Sequence, residues 1–168
     1  MLLSALPVLS GRSRQNLLFF AALHNLSRSP AQKKIEDIAK QLEIGSLDIR
    51  YDQYSTGMKH RLALARCFLT EAKLIFMDEP TRSLDPAAKN MLRQLIKKTA
   101  KNTGCTFFLT THDTAEAEDL ADRLAILDRG KIIASGTLPE IRRAAEEPAA
   151  ALEKIFCTLT ALETEHVS

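Results

Sequence analysis

The chain has 168 residues, of which 45% are apolar and 26% are charged, as is typical of one folded domain or part of one. Because 23 Lys and Arg residues nearly balance 21 Asp and Glu residues, the sequence does not predict a nucleic-acid-binding surface. The longest apolar run, residues 17–23, is shorter than the roughly 20 residues of a membrane span, and the start lacks the basic residues of a secretory signal. Three widely spaced cysteines favour a reducing compartment, so we expect a cytoplasmic protein.

Three helices are predicted in the N-terminal part of the chain. Apolar residues recur at helical spacing over residues 14–26 and 31–42, and Ser29-Pro30 separates the two segments. Residues 45–54 have turn and polar character, which indicates a connecting loop. The third helix carries one apolar stripe, which consists of Met58, Leu62, Ala65 and Leu69.

The next part of the chain alternates between strands and a helix. The apolar run 74–77 predicts a strand buried on both faces of a parallel sheet, and residues 105–110 predict a second buried strand. Between them, Asp85-Pro86 has the residue types of a helix start, and the helix continues to Gly104. This order predicts a parallel pair of strands joined by a right-handed crossover.

The last part of the chain predicts two helices and a hairpin. Asp113 and Glu116 have the capping-box spacing of a short helix that reaches about residue 121. Residues 123–127 and 131–134 flank the turn sequence Asp128-Arg129-Gly130 and predict a β-hairpin. Apolar residues at helical spacing predict a final helix, namely Leu152, Ile155, Phe156, Leu159 and Leu162.

A serine and a glycine stand at the start of the third predicted helix, in the segment Tyr54-Ser55-Thr56-Gly57-Met58-Lys59. The free N–H groups of a first helical turn, the helix dipole, a hydroxyl group and a glycine all favour a phosphate group. The alternative is that Ser55 is only an N-cap and that Gly57 is merely tolerated beside it. Taken alone, the segment leaves both interpretations open.

Two carboxylates follow the first predicted strand, and a histidine follows the second. Asp78 and Glu79 leave the C-terminal end of the strand, the edge at which parallel α/β sheets bind ligands. Asp78 can hold Mg²⁺ through water, and Glu79 can orient an attacking water. His112 is expected at the same edge. The alternatives are an acidic turn that caps the following segment and a histidine that makes local hydrogen bonds.

In order and spacing, these segments resemble the later two thirds of an ATP-binding-cassette (ABC) transporter ATPase, over about residues 13–162. Residues 54–66 are similar to the signature sequence of that family, and residues 74–78 are similar to its Walker B strand. Glu79 resembles the catalytic glutamate, Ser83-Leu84-Asp85 the D-loop and His112 the switch histidine.

Two positions also resemble one subgroup of the family. Thr56 and Met58 replace the commoner glycine and glutamine, as in the subgroup that serves ABC-2 type exporters. Residues 152–160 are similar to the same subgroup.

The resemblance implies a partial P-loop NTPase domain of the α/β class. Its parts are a helical arm, an incomplete and mainly parallel sheet flanked by helices, and a C-terminal helix. Three segments are implied: a helical signature subdomain at 1–70, the C-terminal half of the ATPase core at 71–143, and a linker and helix at 144–168.

The resemblance also implies a site shared between two chains. Two ATPase subunits close head to tail over two molecules of ATP with Mg²⁺, and they drive transmembrane permease subunits from the cytoplasmic face of the membrane. The implied catalytic residues are Glu79 and His112, and Asp78 is the metal residue. Asp85 couples the two sites, and the residues that bind nucleotide held mainly by the partner are Ser55, Thr56, Gly57 and Met58.

The phosphate-binding loop of the family, Gly-x-x-x-x-Gly-Lys-Ser/Thr, is not found in this sequence, because no two of its six glycines are five positions apart. The backbone and lysine of that loop supply most of the hold on the β- and γ-phosphates. We therefore predict that this chain alone neither binds Mg-ATP tightly nor hydrolyses it. Because the missing strand and helix cover the sheet in the family, we also predict an exposed sheet edge, and either self-association or the need for a complementary segment.

Three functions are compatible with these residues. The first is the C-terminal portion of a transporter ATPase, whose activity belongs to the complete protein. The second is a non-catalytic half-domain or interaction module that lends Ser55 and Gly57 to a partner ATPase. The third is a related ATPase of DNA repair or chromosome architecture, although the sequence has neither the long heptad insertions nor the basic faces of such proteins.

Overall fold

The structure is a computed structural model that describes residues 11–165, with side chains as far as residue 160. It forms two compact units that divide between Thr110 and Thr111. The first unit contains α1 (Ser13–Leu23), α2 (Arg28–Gln41), a short 3₁₀ helix (Tyr51–Gln53), α3 (Thr56–Leu69), β1 (Leu74–Asp78), α4 (Pro86–Thr103) and β2 (Thr106–Thr110). The second unit contains α5 (Thr114–Leu120), β3 (Leu124–Asp128), β4 (Lys131–Gly136), α6 (Leu138–Ala144) and α7 (Leu152–Glu165).

The three N-terminal helices pack against one another, as the apolar spacing predicts. Their central contacts are fully buried, with Leu17 of α1, Ile35 of α2 and Leu62 of α3 at most 1% exposed. The helix α2 begins earlier than expected, after its N-cap Ser27. Pro30 therefore lies inside the first turn, where a missing N–H costs little because that turn has no intrahelical partner for it.

The strands β1 and β2 form a parallel pair in which Asp78 lies opposite Thr110. Side chains alternate between the two faces of each strand, and the prediction that both faces are buried is wrong because only one face of the pair is covered by the described residues. Ile75 and Met77 are 1% exposed, and the ring of Phe107 lies 6.0 Å from that of Phe68 on α3. On the opposite face, the apolar side chains stay exposed in the part of the chain that the structure describes: Leu74 by 42%, Phe76 by 37% and Phe108 by 58%.

The predicted exposed sheet edge is confirmed for the described residues. The parallel sheet has two strands, so the outer edge of each is unpaired among residues 11–165. Unpaired strand edges beside an apolar face are templates for association. We call Leu74, Phe76 and Phe108 the open face of the sheet.

The second unit has its own small core, formed by Ile126, Ile141, Leu152 and Ile155. The predicted hairpin is confirmed as the antiparallel pair β3 and β4. Its turn needs a left-handed backbone at two successive positions, and Arg129 and Gly130 have φ of 44° and 80°.

The helix α6 lies between the hairpin and α7, and sequence reasoning missed it. The signal was present, because Thr137 and Glu140 form a capping box around a proline in the first turn. Arg142 on α6 then donates to the Ala150 carbonyl at 2.9 Å, which ties α6 to the segment before α7.

None of the helices within residues 11–165 combines the length and the hydropathy that crossing a bilayer requires. The predicted boundaries at residues 70 and 143 do not coincide with the division between the two units, and the three-part division remains a prediction.

Candidate functional site

The segment Ser55–Met58 begins α3, and Ser55 is its N-cap. The Ser55 hydroxyl accepts a hydrogen bond from the Met58 amide at 3.2 Å. Ser55 and Thr56 are exposed, whereas Tyr54 just before them is 3% exposed and donates through its hydroxyl to the Ser46 carbonyl at 2.9 Å. A buried tyrosine thus fixes the position at which an accessible helix N-terminus begins.

The acidic pair lies at the C-terminal end of β1, as predicted. Asp78 is the last residue of the strand, and its carboxylate accepts a hydrogen bond from the Thr110 hydroxyl on β2. The next amide, that of Glu79, donates to the Thr110 carbonyl at 3.0 Å. Thr110 therefore contacts both acidic residues, one through its side chain and the other through its backbone.

Glu79 has a backbone conformation that is rare for a residue with a side chain, since its φ is 46°. Such left-handed geometry costs of the order of 1 kcal/mol or more and persists where neighbouring contacts enforce it. The hydrogen bond from the Glu79 amide to Thr110 is one such contact. The strain lies at the residue to which the resemblance assigns the catalytic carboxylate.

The loop that follows leads into α4 through Asp85. Asp85 caps α4 by accepting from the Ala88 amide at 2.9 Å, and its second oxygen pairs with Arg61 at 2.9 Å. The amide hydrogen bond from Ala88 is the main cause that lowers the pKa of Asp85, and the charge of Arg61 lowers it further. Both carboxylate oxygens of Asp85 therefore have partners within the chain.

The structure brings two predicted segments together in the first unit. A Cβ atom added to Gly57 would stand 3.9 Å from the Ser83 carbonyl oxygen, so the start of α3 lies against the loop before α4. Ser83 itself has φ of 66°, a second left-handed residue in that loop.

His112 lies in the second unit, and its predicted place beside the acidic pair remains a prediction. It is exposed, and it precedes α5 in a turn that side-chain hydrogen bonds hold. Thr111 donates to Glu116 at 2.6 Å and accepts from the Asp113 amide at 3.0 Å, while Asp113 caps α5 through the Glu116 amide at 3.0 Å. The predicted N-cap at Asp113 is thus confirmed.

Sequence reasoning missed three residues that hold this site. Thr110 could have been found, because it ends the second strand at the level where Asp78 ends the first. His60 and Arg61 lie within residues 54–66, which resemble the signature sequence, but no role was assigned to them because their partners lie in a loop distant in sequence.

The acidic pair supplies part of the ligand set that a metal ion needs. Within the described residues, no three His, Cys, Asp or Glu side chains gather as a metal site would require. Mg²⁺ usually keeps several waters and takes one or two protein oxygens together with substrate phosphates, and Asp78, beside the Thr110 hydroxyl, fits the protein share of that set.

Comparison with known proteins agrees with this geometry. Residues 16–118 match the family described as "AAA domain, putative AbiEii toxin, Type IV TA system", which is more than half of the chain. Over 132 residues the chain is 36% identical to the daunorubicin resistance ATP-binding protein DrrA3 of Streptomyces coeruleorubidus. The matched region covers 77% of this chain and 41% of that protein. The chain thus spans less than half of the length of this relative.

Solved structures show the same fold. The ATP-binding subunit of an ABC transporter superimposes with a TM-score of 0.86 at 28% identity, over 95% of this chain and 67% of that one. The protein cbiO1 of Clostridium perfringens, part of the ABC transporter complex cbiONQ, superimposes with a TM-score of 0.64 at 28% identity, over 83% of this chain and 56% of that one. The chain therefore belongs to the family described as an AAA domain, and in sequence and fold it is similar to ATP-binding proteins of ABC transporters.

Proposed function

We propose that this chain forms the signature and Walker B portion of an ATP-binding subunit of an ABC transporter, on the cytoplasmic face of the membrane. One observation carries the proposal: a serine-capped helix start and an acidic pair at the end of a parallel strand lie in one compact unit. The Streptomyces relative is named an ATP-binding protein, which supports an ATP-binding role for the complete protein.

The proposal assigns a role to each predicted residue. At an anion held by a second ATPase subunit, Ser55 and the first turn of α3, with Thr56, Gly57 and Met58, supply hydrogen-bond donors. Glu79 orients the attacking water, and His112 assists it. Asp78 would hold Mg²⁺ through water, Asp85 lies at the contact with the second subunit, and the whole assembly drives transmembrane permease subunits.

A complementation assay tests this function. The phosphate-loop portion of the Streptomyces relative, expressed as a separate polypeptide, is mixed with this chain, and the complex is isolated by size exclusion. We expect ATP hydrolysis in the complex and in neither polypeptide alone. Glu79→Gln is expected to abolish the activity, whereas Glu71→Gln, at an exposed residue before β1, keeps it. A complex that hydrolyses ATP equally well with Glu79→Gln contradicts the proposal.

A second candidate is a non-catalytic module that lends its helix start to a complete partner ATPase. The exposure of Ser55 and the absence of the phosphate-binding loop from the sequence favour it. Its test uses a complete ABC ATPase whose own signature serine is replaced by alanine. This chain should restore part of its ATP hydrolysis, and Ser55→Ala should remove the stimulation. The first candidate predicts no stimulation in this assay.

A further inference from the structure

Two neighbouring side chains on α3 contact the loop that precedes α4. The guanidinium of Arg61 donates to the Asp85 carboxylate at 2.9 Å. The half-buried imidazole of His60 lies beside the backbone of Arg82. A Cβ atom added to Gly57 would stand 3.9 Å from the Ser83 carbonyl oxygen, so the loop of residues 82–85 lies against the first two turns of α3.

Arg61 joins three helices at one point. The Nη1 atom of Arg61 donates to the Glu43 carbonyl at 3.1 Å and lies 3.5 Å from the Leu42 carbonyl, at the C-terminal end of α2. The carboxylate it pairs with is the N-cap of α4. A cation favours the negative end of one helix dipole, and an anion favours the positive end of another. The side chain of Arg61 is 18% exposed, so water screens these interactions only partly.

The loop contains a residue in a strained left-handed conformation, which contacts with neighbouring residues must maintain. Ser83 has φ of 66°, and its neighbour Leu84 donates an amide hydrogen bond to the Thr81 carbonyl at 3.1 Å. Thr81 and Leu84 are buried, at 3% and 9% exposure, so their side chains anchor the loop to the interior of the unit. The contacts from His60 and Arg61 hold it on the side that faces α3.

We propose that His60 and Arg61 are positioning residues, which fix the loop of residues 82–85 to α3 so that Ser55–Gly57 and Ser83–Asp85 form one rigid binding element. A ligand or partner that engages either segment then orders the other, because the two share one set of contacts. The meaning of this element for nucleotide chemistry rests on the proposed function, whereas its rigidity is a property of the chain alone.

Amide hydrogen exchange on the full chain, without nucleotide, tests the proposal. The reporters are the Arg82 and Leu84 amides in the loop, and the Thr106 amide, which donates to Lys73 at 2.8 Å, is the reference within the same unit. We expect Arg61→Gln and His60→Leu each to accelerate exchange in the loop by roughly fivefold to tenfold, with the reference unchanged. A general loss of stability would accelerate the reference as well.

Two further variants separate positioning from simple packing. His60→Gln keeps a polar side chain that can donate to the backbone of Arg82 and should restore slow exchange in the loop. Lys59→Gln is the matched control, because Lys59 lies on the same turn of α3 but over the Tyr51 ring, and it should leave the loop unchanged.

The coupling must also act in the reverse direction. Asp85→Asn keeps an N-cap for α4 but weakens the pair with Arg61. We expect faster exchange at the Lys59 amide, which donates to the Ser55 carbonyl at 2.9 Å in the native chain. Unchanged loop exchange in Arg61→Gln and His60→Leu, or an unchanged Lys59 amide in Asp85→Asn, overturns the proposal. Since nucleotide is absent from this measurement, the complementation assay can fail without affecting its outcome.

Discussion

At the scale of single residues, the three cysteines differ in their surroundings. Cys67 is fully buried in α3 and Cys105 is 7% exposed, whereas Cys157 on α7 is exposed. Burial raises the pKa of Cys67 to about 12, and it raises the pKa of Cys105 as well. Only a thiolate reacts readily with disulfide reagents, so burial and the raised pKa act in the same direction.

We therefore predict that one thiol of the native chain reacts quickly with Ellman's reagent at pH 8. The fast thiol is Cys157, and Cys157→Ser removes the fast phase. In denaturant all three cysteines of the sequence react. A fast phase that persists in Cys157→Ser shows that the core around Cys67 opens readily, which contradicts a closed core at that helix.

The hydroxyl of Thr110 donates a hydrogen bond to the carboxylate of Asp78. Thr110→Val removes the donor to Asp78 but keeps the side-chain shape, so we expect a loss of about 1 kcal/mol in the free energy of unfolding in urea. Thr110→Ser keeps the hydroxyl and is the matched control. If both variants unfold alike, the hydroxyl contributes nothing to holding Asp78.

At the scale of elements, the helix starts were the most predictable features. Ser55, Asp85 and Asp113 each accept a hydrogen bond from an amide three residues later, and all three positions could be predicted because local sequence determines N-caps. The prediction that both faces of β1 and β2 are buried was wrong, because such burial does not depend on local sequence. Whether both faces of an apolar strand are covered depends on segments distant in sequence, and the strand does not encode them.

Asp85 gives an element-scale prediction with a defined dependence on pH. The pKa of Asp85 is lower in the folded chain than its ordinary value of 3.8, mainly because of the hydrogen bond from Ala88. A depressed carboxylate pKa stabilises the fold above the unfolded value, and this stabilisation is lost as the pH falls through the folded value.

We expect Asp85→Ala to lower the urea midpoint at pH 7 and to differ less from the native chain as the pH falls below 3.8. The measurement is urea unfolding followed by circular dichroism across this pH range. Asp85→Asn retains a cap and should lie between the two. A difference that stays constant with pH would show that the charge of Asp85 plays no part in α4.

At the scale of the whole molecule, the open face of the sheet is an exposed apolar surface. Leu74, Phe76 and Phe108 lie together on one side of β1 and β2, and the rings of the two phenylalanines are 5.4 Å apart. Adjacent exposed apolar side chains beside unpaired strand edges favour association.

We predict that the isolated chain self-associates, as seen by sedimentation velocity. Phe76→Ser with Phe108→Ser should shift the distribution toward monomer. Phe19→Ser, at a residue on α1 that is 43% exposed, is the control and should leave association unchanged. A monodisperse native monomer that melts cooperatively contradicts this prediction.

The second whole-molecule prediction concerns nucleotide. Because the chain has neither the phosphate-binding loop nor a cluster of metal ligands among its described residues, calorimetric titration with Mg-ATP should show no tight binding. Hydrolysis by the isolated chain should also be undetectable. Micromolar affinity would show that a phosphate site exists that the sequence does not reveal.

The sequence by itself determined the order of the helices and strands except α6, the N-caps Ser55, Asp85 and Asp113, and the family. These features depend on periodicity, on capping residues and on motif spacing, all of which are local. The tertiary structure decided which partners the key residues have: Thr110 on Asp78, Arg61 on Asp85, and Gly57 beside Ser83. Such contacts join residues far apart in the chain, and their formation depends on how helices and strands pack, which no single segment specifies.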